Sequence, residues 1–207
     1  MTIRAGEPWG EPVVIADAVR TIVGDRALAE LVGQPGIGRS NDHRSLIRPI
    51  GGDLARTVGL TAASVPELGT TAMRCPIDVA WAITDAGTRC FVAHCVVRRS
   101  WWWGGVTLAM NAQYYRSWDV APRAHPNDGR LDLVTVSSTM TVGQRWQASR
   151  RAPRGDHLPH PAIEVTKVAE RTLTFSRPQT IWLDGARWCR TRTVTLRVEP
   201  DAMRIIV

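Results

Sequence analysis

From residue 67 onward the chain is a succession of short apolar runs broken by turn-forming residues, and that spacing admits little but an antiparallel β architecture. The runs are Ile77–Thr84, Arg89–Val97, Val106–Ala112, Leu131–Ser137, Ala162–Val168, Arg171–Phe175, Thr180–Leu183, Thr193–Val198 and Met203–Val207. In Thr193-Val194-Thr195-Leu196-Arg197-Val198 the alternation is strict, so Val194, Leu196 and Val198 face a core. Asp85-Ala86-Gly87-Thr88 is short enough to close a hairpin. One helix, Val142–Arg150, interrupts the series, which otherwise suits a sandwich-like lobe with its nine tryptophans as core and corner residues.

The first sixty residues follow a different rhythm. The β-branched run Ala18–Val23 leads through Gly24 to Asp25, a side chain suited to N-capping a helix with Leu28, Leu31 and Val32 on one side and Gly33 as its stop. A Gly-, Pro- and Asn-rich loop follows to Asn41, then a strand at Leu46–Ile50 and a helix Leu54–Val58 opened by Gly51-Gly52-Asp53 and ended by Gly59. Strand, helix, strand, helix is an αβ unit, which places ligands beyond the carboxyl ends of its strands. The expected fold class is therefore α+β: a small αβ lobe over 1–66 and a larger antiparallel β-sandwich-like lobe over 67–207.

Length and charge narrow the function classes. The 207 residues suit one domain or two small lobes, and the ordinary share of hydrophobic residues excludes a disordered or fibrous chain. Net charge is +7, with 25 arginines and a single lysine, Lys167, and the excess falls after residue 100. An anionic partner is expected to dock there. Nucleic acid is disfavoured, because the aromatics lack the spacing of an RNA-binding sheet. Arg145, Arg150, Arg151 and Arg154 surround the predicted helix, either as a solvated face or facing anionic lipid. No apolar run approaches the roughly 20 residues of a membrane span, and the N-terminus lacks a leader's apolar region, so a cytoplasmic protein is expected. Cys75, Cys90, Cys95 and Cys189 form no metal-binding spacing and are expected as reduced thiols. His94, alternating with apolar neighbours, is expected as a hydrogen-bonded strand residue rather than a ligand.

Three short segments can carry chemistry. Asp128-Gly129-Arg130-Leu131-Asp132 sets two carboxylates four apart on either side of a turn, which suits a hard cation or a plain hairpin turn. Asp184-Gly185 directly follows an apolar strand, a place for a reactive carboxylate and equally for a turn. Gly51-Gly52-Asp53 opens a helix, whose free N–H groups can cradle phosphate unless Asp53 caps them itself.

In this order the segments resemble the diacylglycerol kinase catalytic-domain family, which includes bacterial lipid kinases and sphingosine kinases and shares its architecture with NAD kinases. Pro122-x-Ala124-x-x-x-Asp128-Gly129-x-Leu131-Asp132 matches the family's Pro-x-Ala-x-x-x-Asp-Gly-x-Leu-Asp, preceded by its strand asparagine at Asn111. Gly155-x-His157 with Pro161 and Ile163 resembles the segment after the next helix, and the last strands resemble the family's closing strands. Pro49-Ile50-Gly51-Gly52-Asp53-Leu54-Ala55-Arg56 resembles a shortened form of Pro-x-Gly-Thr-x-Asn-Asp-x-Ala-Arg. The family's Gly-Gly-Asp-Gly-Thr nucleotide loop has no counterpart, and Ala186 stands where the family's Asp-Gly-Glu carries its general base.

The resemblance implies a lipid kinase/NAD kinase-like fold whose C-terminal strands pack back on the first lobe. It implies ATP and Mg2+ as cofactors, nucleotide contacts from Gly51, Gly52, Asp53, Asn111 and Gly185, a cation at Asp128 and Asp132, and Asp184 acting near the base position. Loss of a general base costs about 10²–10⁴-fold in rate. The expectation is thus a weak or inactive lipid kinase that retains a nucleotide, an anionic lipid or a partner, cytoplasmic or peripheral to a membrane, with a homo-oligomer compatible. The alternative is a non-catalytic basic module docking on an anionic membrane or an acidic protein.

Overall fold

The computed structural model describes residues 9–33, 46–60 and 65–207. The N-terminal eight residues, the loop after Gly33 and the start of the Thr61–Glu67 linker lie outside them. In chain order the elements are β1 (Glu11–Val14), β2 (Arg20–Val23), α1 (Asp25–Val32), β3 (Ile47–Ile50), α2 (Gly52–Thr57), β4 (Thr71–Thr84), β5 (Gly87–Phe91), β6 (His94–Arg98) and β7 (Val106–Met110). There follow β8 (Tyr114–Tyr115), β9 (Trp118–Asp119), β10 (Leu131–Val136), α3 (Val142–Arg151), β11 (Ile163–Val168), β12 (Glu170–Leu183) and β13 (Ala186–Ile206). The fold class is α+β, as the patterning implied.

One antiparallel path, β1-β4-β13-β12-β6-β7-β10-β11, with β5 on β4, makes the large sheet. The sequence divides what the structure joins. Arg171–Phe175 and Thr180–Leu183 are one strand, β12, with a register shift between Thr174 and Gln179. Thr193–Val198 and Met203–Val207 are both covered by β13, shifted between Glu199 and Met203. Irregularities of this kind interrupt the alternation without ending the strand. Conversely, Arg89–Val97 is two strands, because Val92 and Ala93 turn their N–H groups to Asp184 instead of continuing the ladder.

Strands β6, β7 and β10 are buried on both faces. Cys95, Val97, Ala109, Leu131 and Leu133 join Ile181, Val194 and Leu196 in the sandwich core, while Val96, Leu108, Met110 and Val134 pack under Tyr115, Val120 and Ala121 on the other side. In the smaller region β2 and β3 pair in parallel. Leu28, Leu31, Val32 and Leu54 from the two helices pack against Ile77 of β4 and Met203 and Ile205 of β13.

Two local expectations are corrected. Asp25 does not cap its own helix; Gly24 occupies that position, and no side chain caps α1. The tryptophans are not the core, since none of the nine is buried. The indole N–H needs a partner, which holds the ring at a seam: Trp81 Nε1 donates to Glu199 at 2.8 Å and Trp9 Nε1 to the Pro76 carbonyl at 3.0 Å. The cysteines are free thiols, with Cys75 and Cys95 buried.

Candidate functional site

The structure brings two of the three sequence segments together. Gly51 and Gly52 both have positive φ, and this turn drives the chain from β3 into α2. A Cβ on Gly52 would collide with the carboxylate of Asp25. That carboxylate lies across the start of α2 and accepts from the Asp53 N–H at 2.6 Å and the Leu54 N–H at 3.1 Å. The anion held by the Gly51-Gly52-Asp53 turn is thus a side chain of the protein. Burial pushes the Asp25 pKa up to about 6, against the pull of those two N–H groups and with the charges of Asp184 and Asp53 adding to the rise.

Asp53 does not cap its own helix start, which Asp25 covers, and its side chain turns instead toward His94 and Arg116. Its oxygens accept from the Arg116 N–H at 2.8 and 2.9 Å and sit 3.0 Å from His94 Nε2. Arg116 adopts φ 55 to reach it. The His94 ring is buried, and its Nδ1 has no hydrogen-bond partner among the described residues. Burial works against the imidazolium, but the Asp53 hydrogen bond and the charges of Asp184, Asp53 and Asp25 outweigh it and raise the pKa. His94 is therefore hydrogen-bonded as expected, yet it is also the hub of an acidic cluster that its apolar neighbours in sequence concealed.

Asp184 stands on the other side of His94, at φ 45 in the β12–β13 turn. Its carboxylate accepts from the Val92, Ala93 and His94 N–H groups, each at 3.0 Å. Burial raises its pKa, offset in part by the His94 charge and these three bonds. The raised pKa would suit a base; the geometry does not, because the oxygens are turned to the break between β5 and β6. Gly185 is the exposed tip of the turn. Ala186 lines an adjoining cavity of about 610 Å3 with Arg26, Trp81, Arg89, Asp184, Arg187 and Trp188.

The third segment forms a separate centre. Asp78, fully buried, accepts from the Gly129 N–H at 2.6 Å, the Asp201 N–H at 2.9 Å and Asn127 Nδ2 at 3.3 Å, and so pins the Asp128-Gly129 turn to β13. Burial lifts its pKa to about 6. Asp128 accepts from the Arg130 N–H at 3.0 Å, a turn bond of its own. Lys167 lies opposite Asp132 in the β10–β11 register and sets its ammonium 2.6 Å from Asp128 and 3.5 Å from Asp132. Asn111 spends both amide hydrogens on the carbonyls of Asp78 and Val92, at 3.0 and 2.8 Å.

Neither centre fits Mg2+ as it stands. Asp25, Asp53 and His94 present ligand atoms within 4.8 Å of one another, but the ring nitrogen in that set is not the oxygen donor this hard cation selects, and both carboxylates already accept backbone N–H groups. Between Asp128 and Asp132 the positive charge is supplied by the ammonium of Lys167. Asp25, which the sequence marked only as a helix cap, Asp78 and Lys167 are the residues that the sequence did not place in a site. The one available signal was Lys167, the sole lysine among 25 arginines.

The antiparallel lobe is an NAD kinase-like β sandwich. Residues 97–207 match the YegS C-terminal NAD kinase beta sandwich-like domain, and the chain belongs to that family. A crystal structure of a diacylglycerol kinase from Bacillus anthracis str. Sterne is similar to it with a TM-score of 0.59 at 16% identity, over 90% of this chain and 75% of that one. A second structure from the same strain, described with that activity as a provisional assignment, gives 0.62 at 14% identity, over 90% and 77%. These likenesses concern the fold. No curated protein matches the chain. Among the described residues no helix is long and apolar enough to cross a membrane.

Proposed function

We propose that the protein is a lipid-kinase-fold binding protein without efficient phosphoryl transfer, whose cavity beside Asp184 holds an anionic, ring-bearing ligand of the nucleotide class. The observation that carries this reading is the state of Asp184. A general base needs a lone pair within reach of the hydroxyl proton it removes. Here three backbone N–H groups turn the carboxylate to the break between β5 and β6 and occupy most of its acceptor sites, and the residue two positions on is an alanine. Phosphoryl transfer rests on positioning and charge stabilisation, and the anion and cation positions implied by the motifs are met by Asp25 and Lys167. The cavity retains what binding requires: Arg89 and Arg187 for phosphate oxygens, and Trp81 and Trp188 for a planar ring, while Arg26 at its edge is paired with Glu30 at 2.8 Å.

Two measurements test it. In mixed micelles with diacylglycerol, ATP and Mg2+, transfer is expected to stay at background for the natural chain and for Ala186→Glu, since Asp184 remains tied in both. Turnover by the natural chain overturns the reading, and turnover by Ala186→Glu alone shows that the missing glutamate, not the tied carboxylate, removed activity. For binding, ATP or ADP at about 100 times its Kd adds about 2.7 kcal/mol of stability. A rise in unfolding temperature that Arg89→Gln/Arg187→Gln abolishes is expected, and no rise at saturating nucleotide refutes the ligand class.

A further inference from the structure

The surface formed by α3 and the loop between β6 and β7 is built inside out. In α3 the one buried residue is an arginine, Arg145, while its apolar residues Val142 and Trp146, one turn apart, are 40% and 51% exposed. A helix docked only on its own protein turns such a pair inward. Arg145 is held by backbone carbonyls alone: Met140 at 3.0 Å, Trp101 at 3.0 Å, Ser137 at 2.8 Å and Gly104 at 2.6 Å. Two of those carbonyls flank the tip of the β6–β7 loop, so the buried guanidinium locks the loop to the helix. The tip itself is Trp102 and Trp103, 42% and 67% exposed. A cavity of about 400 Å3, walled by Trp101, Tyr115, Trp118 and Ser149, opens between the two elements.

Charge says what covers this face. The segments 98–105 and 142–154 carry six arginines and no carboxylate. Arg150 stacks 5.0 Å from the Trp146 ring, and Arg98 lies 4.6 Å from Trp101. Tryptophan favours the boundary between headgroups and acyl chains, and arginine beside it favours anionic lipid. An acidic protein would satisfy the arginines, but it would not need three indoles presented at once from a loop tip and a helix flank.

We infer that this face docks on an anionic phospholipid surface, with Trp102, Trp103 and Trp146 entering the interface and Arg99, Arg150 and Arg151 on the headgroups. The inference does not depend on the ligand of the Asp184 cavity. Sedimentation with phosphatidylcholine vesicles and with vesicles also containing phosphatidylglycerol tests it. The protein is expected to sediment with the second kind only, and to dissociate as salt rises from about 0.1 to 1 M, where the screening length falls from about 10 to 3 Å. Trp102→Ala/Trp103→Ala is expected to weaken partitioning at least about 10-fold, and Arg150→Gln/Arg151→Gln by about fivefold per charge. All four side chains are exposed, and circular dichroism checks that the variants fold. Arg190→Gln/Arg192→Gln removes the same charge elsewhere and is expected to leave partitioning unchanged. Failure of the natural chain to bind anionic vesicles at low salt overturns the inference. So does indifference to the tryptophan pair, or an equal loss from the two arginine pairs, which would mark plain net-charge attraction.

Discussion

The two carboxylate centres differ in how they are neutralised. Around His94, three aspartates meet an imidazole and a set of backbone N–H groups, and among the described residues no lysine or arginine side chain is bonded to them. Burial there pushes Asp25 and Asp184 toward the protonated form. Around the Asp128 turn, Lys167 supplies a full charge from the neighbouring strand. The first centre is bridged by an imidazole; the second is bridged by an ammonium, beside a buried Asp78 that burial also pushes up to about 6. The motif residues are thus present in both and are largely bonded within the chain, with Asn111 Oδ1 and Asp132 Oδ2 left without a hydrogen bond among the described residues.

The largest effect is expected at the first centre. Gly52→Ala forces a side chain into a left-handed position and into the Asp25 carboxylate, and is expected to destabilise by about 2–4 kcal/mol in chemical denaturation. Gly59→Ala, with similar φ but open space around the Cβ, isolates the backbone share, about 1–2 kcal/mol. Equal losses at the two sites would show that Asp25 does not hold α2.

Lys167→Met tests the second centre. Without the ammonium, Asp128 and the buried Asp132 face each other unpaired, and because the lysine is partly exposed the expected loss is about 1 kcal/mol. Mg2+ is expected to restore stability to that variant and to leave the natural chain unchanged. Stabilisation of the natural chain by Mg2+ would mean that the lysine does not fill the cation position.

The pH response is the smallest expected effect. Asp25 and Asp78 have ordinary values of 3.8 and titrate at about 6 in the folded chain, so the native state holds protons that the unfolded chain lacks between those values. Their contribution is full below about pH 4 and is lost as pH rises through 6. His94, raised above 6.5, acts in the same sense. His125 and His157, lowered by burial, oppose it by losing their contribution as pH falls below 6.5. The denaturation midpoint is expected to be higher at about pH 5.5 than at about pH 7.5, and Asp25→Asn should shrink that difference. A difference that Asp25→Asn leaves intact would place the titrating charge elsewhere.

Much of the fold was legible because strand and helix periodicities are local. The alternation in Thr193–Val198, the turn at Asp85–Ala86 and the helix at Val142–Arg150 all stand, with only the ends or breaks displaced. Boundaries failed where a distant side chain intervened, as Asp184 does at Val92 and Ala93. The motif order also located the Asp128 turn, the Asp184 turn and the glycine turn before α2. Which of them meet was not legible. Asp25 and Asp53 are 28 positions apart, His94 and Asp53 41, and Asp128 and Lys167 39.

By itself, then, the sequence determined an α+β chain with the motif order of its family and no glutamate after Asp184-Gly185, because propensity, periodicity and residue identity travel with the local chain. Only the tertiary structure decided that Asp25 lies across the start of α2, that Lys167 pairs with Asp128 and Asp132, and that the tryptophans sit at seams and on the surface. Each of these depends on which buried charge and which N–H group are brought within hydrogen-bond reach, a property of packing between strands and helices far apart in the chain.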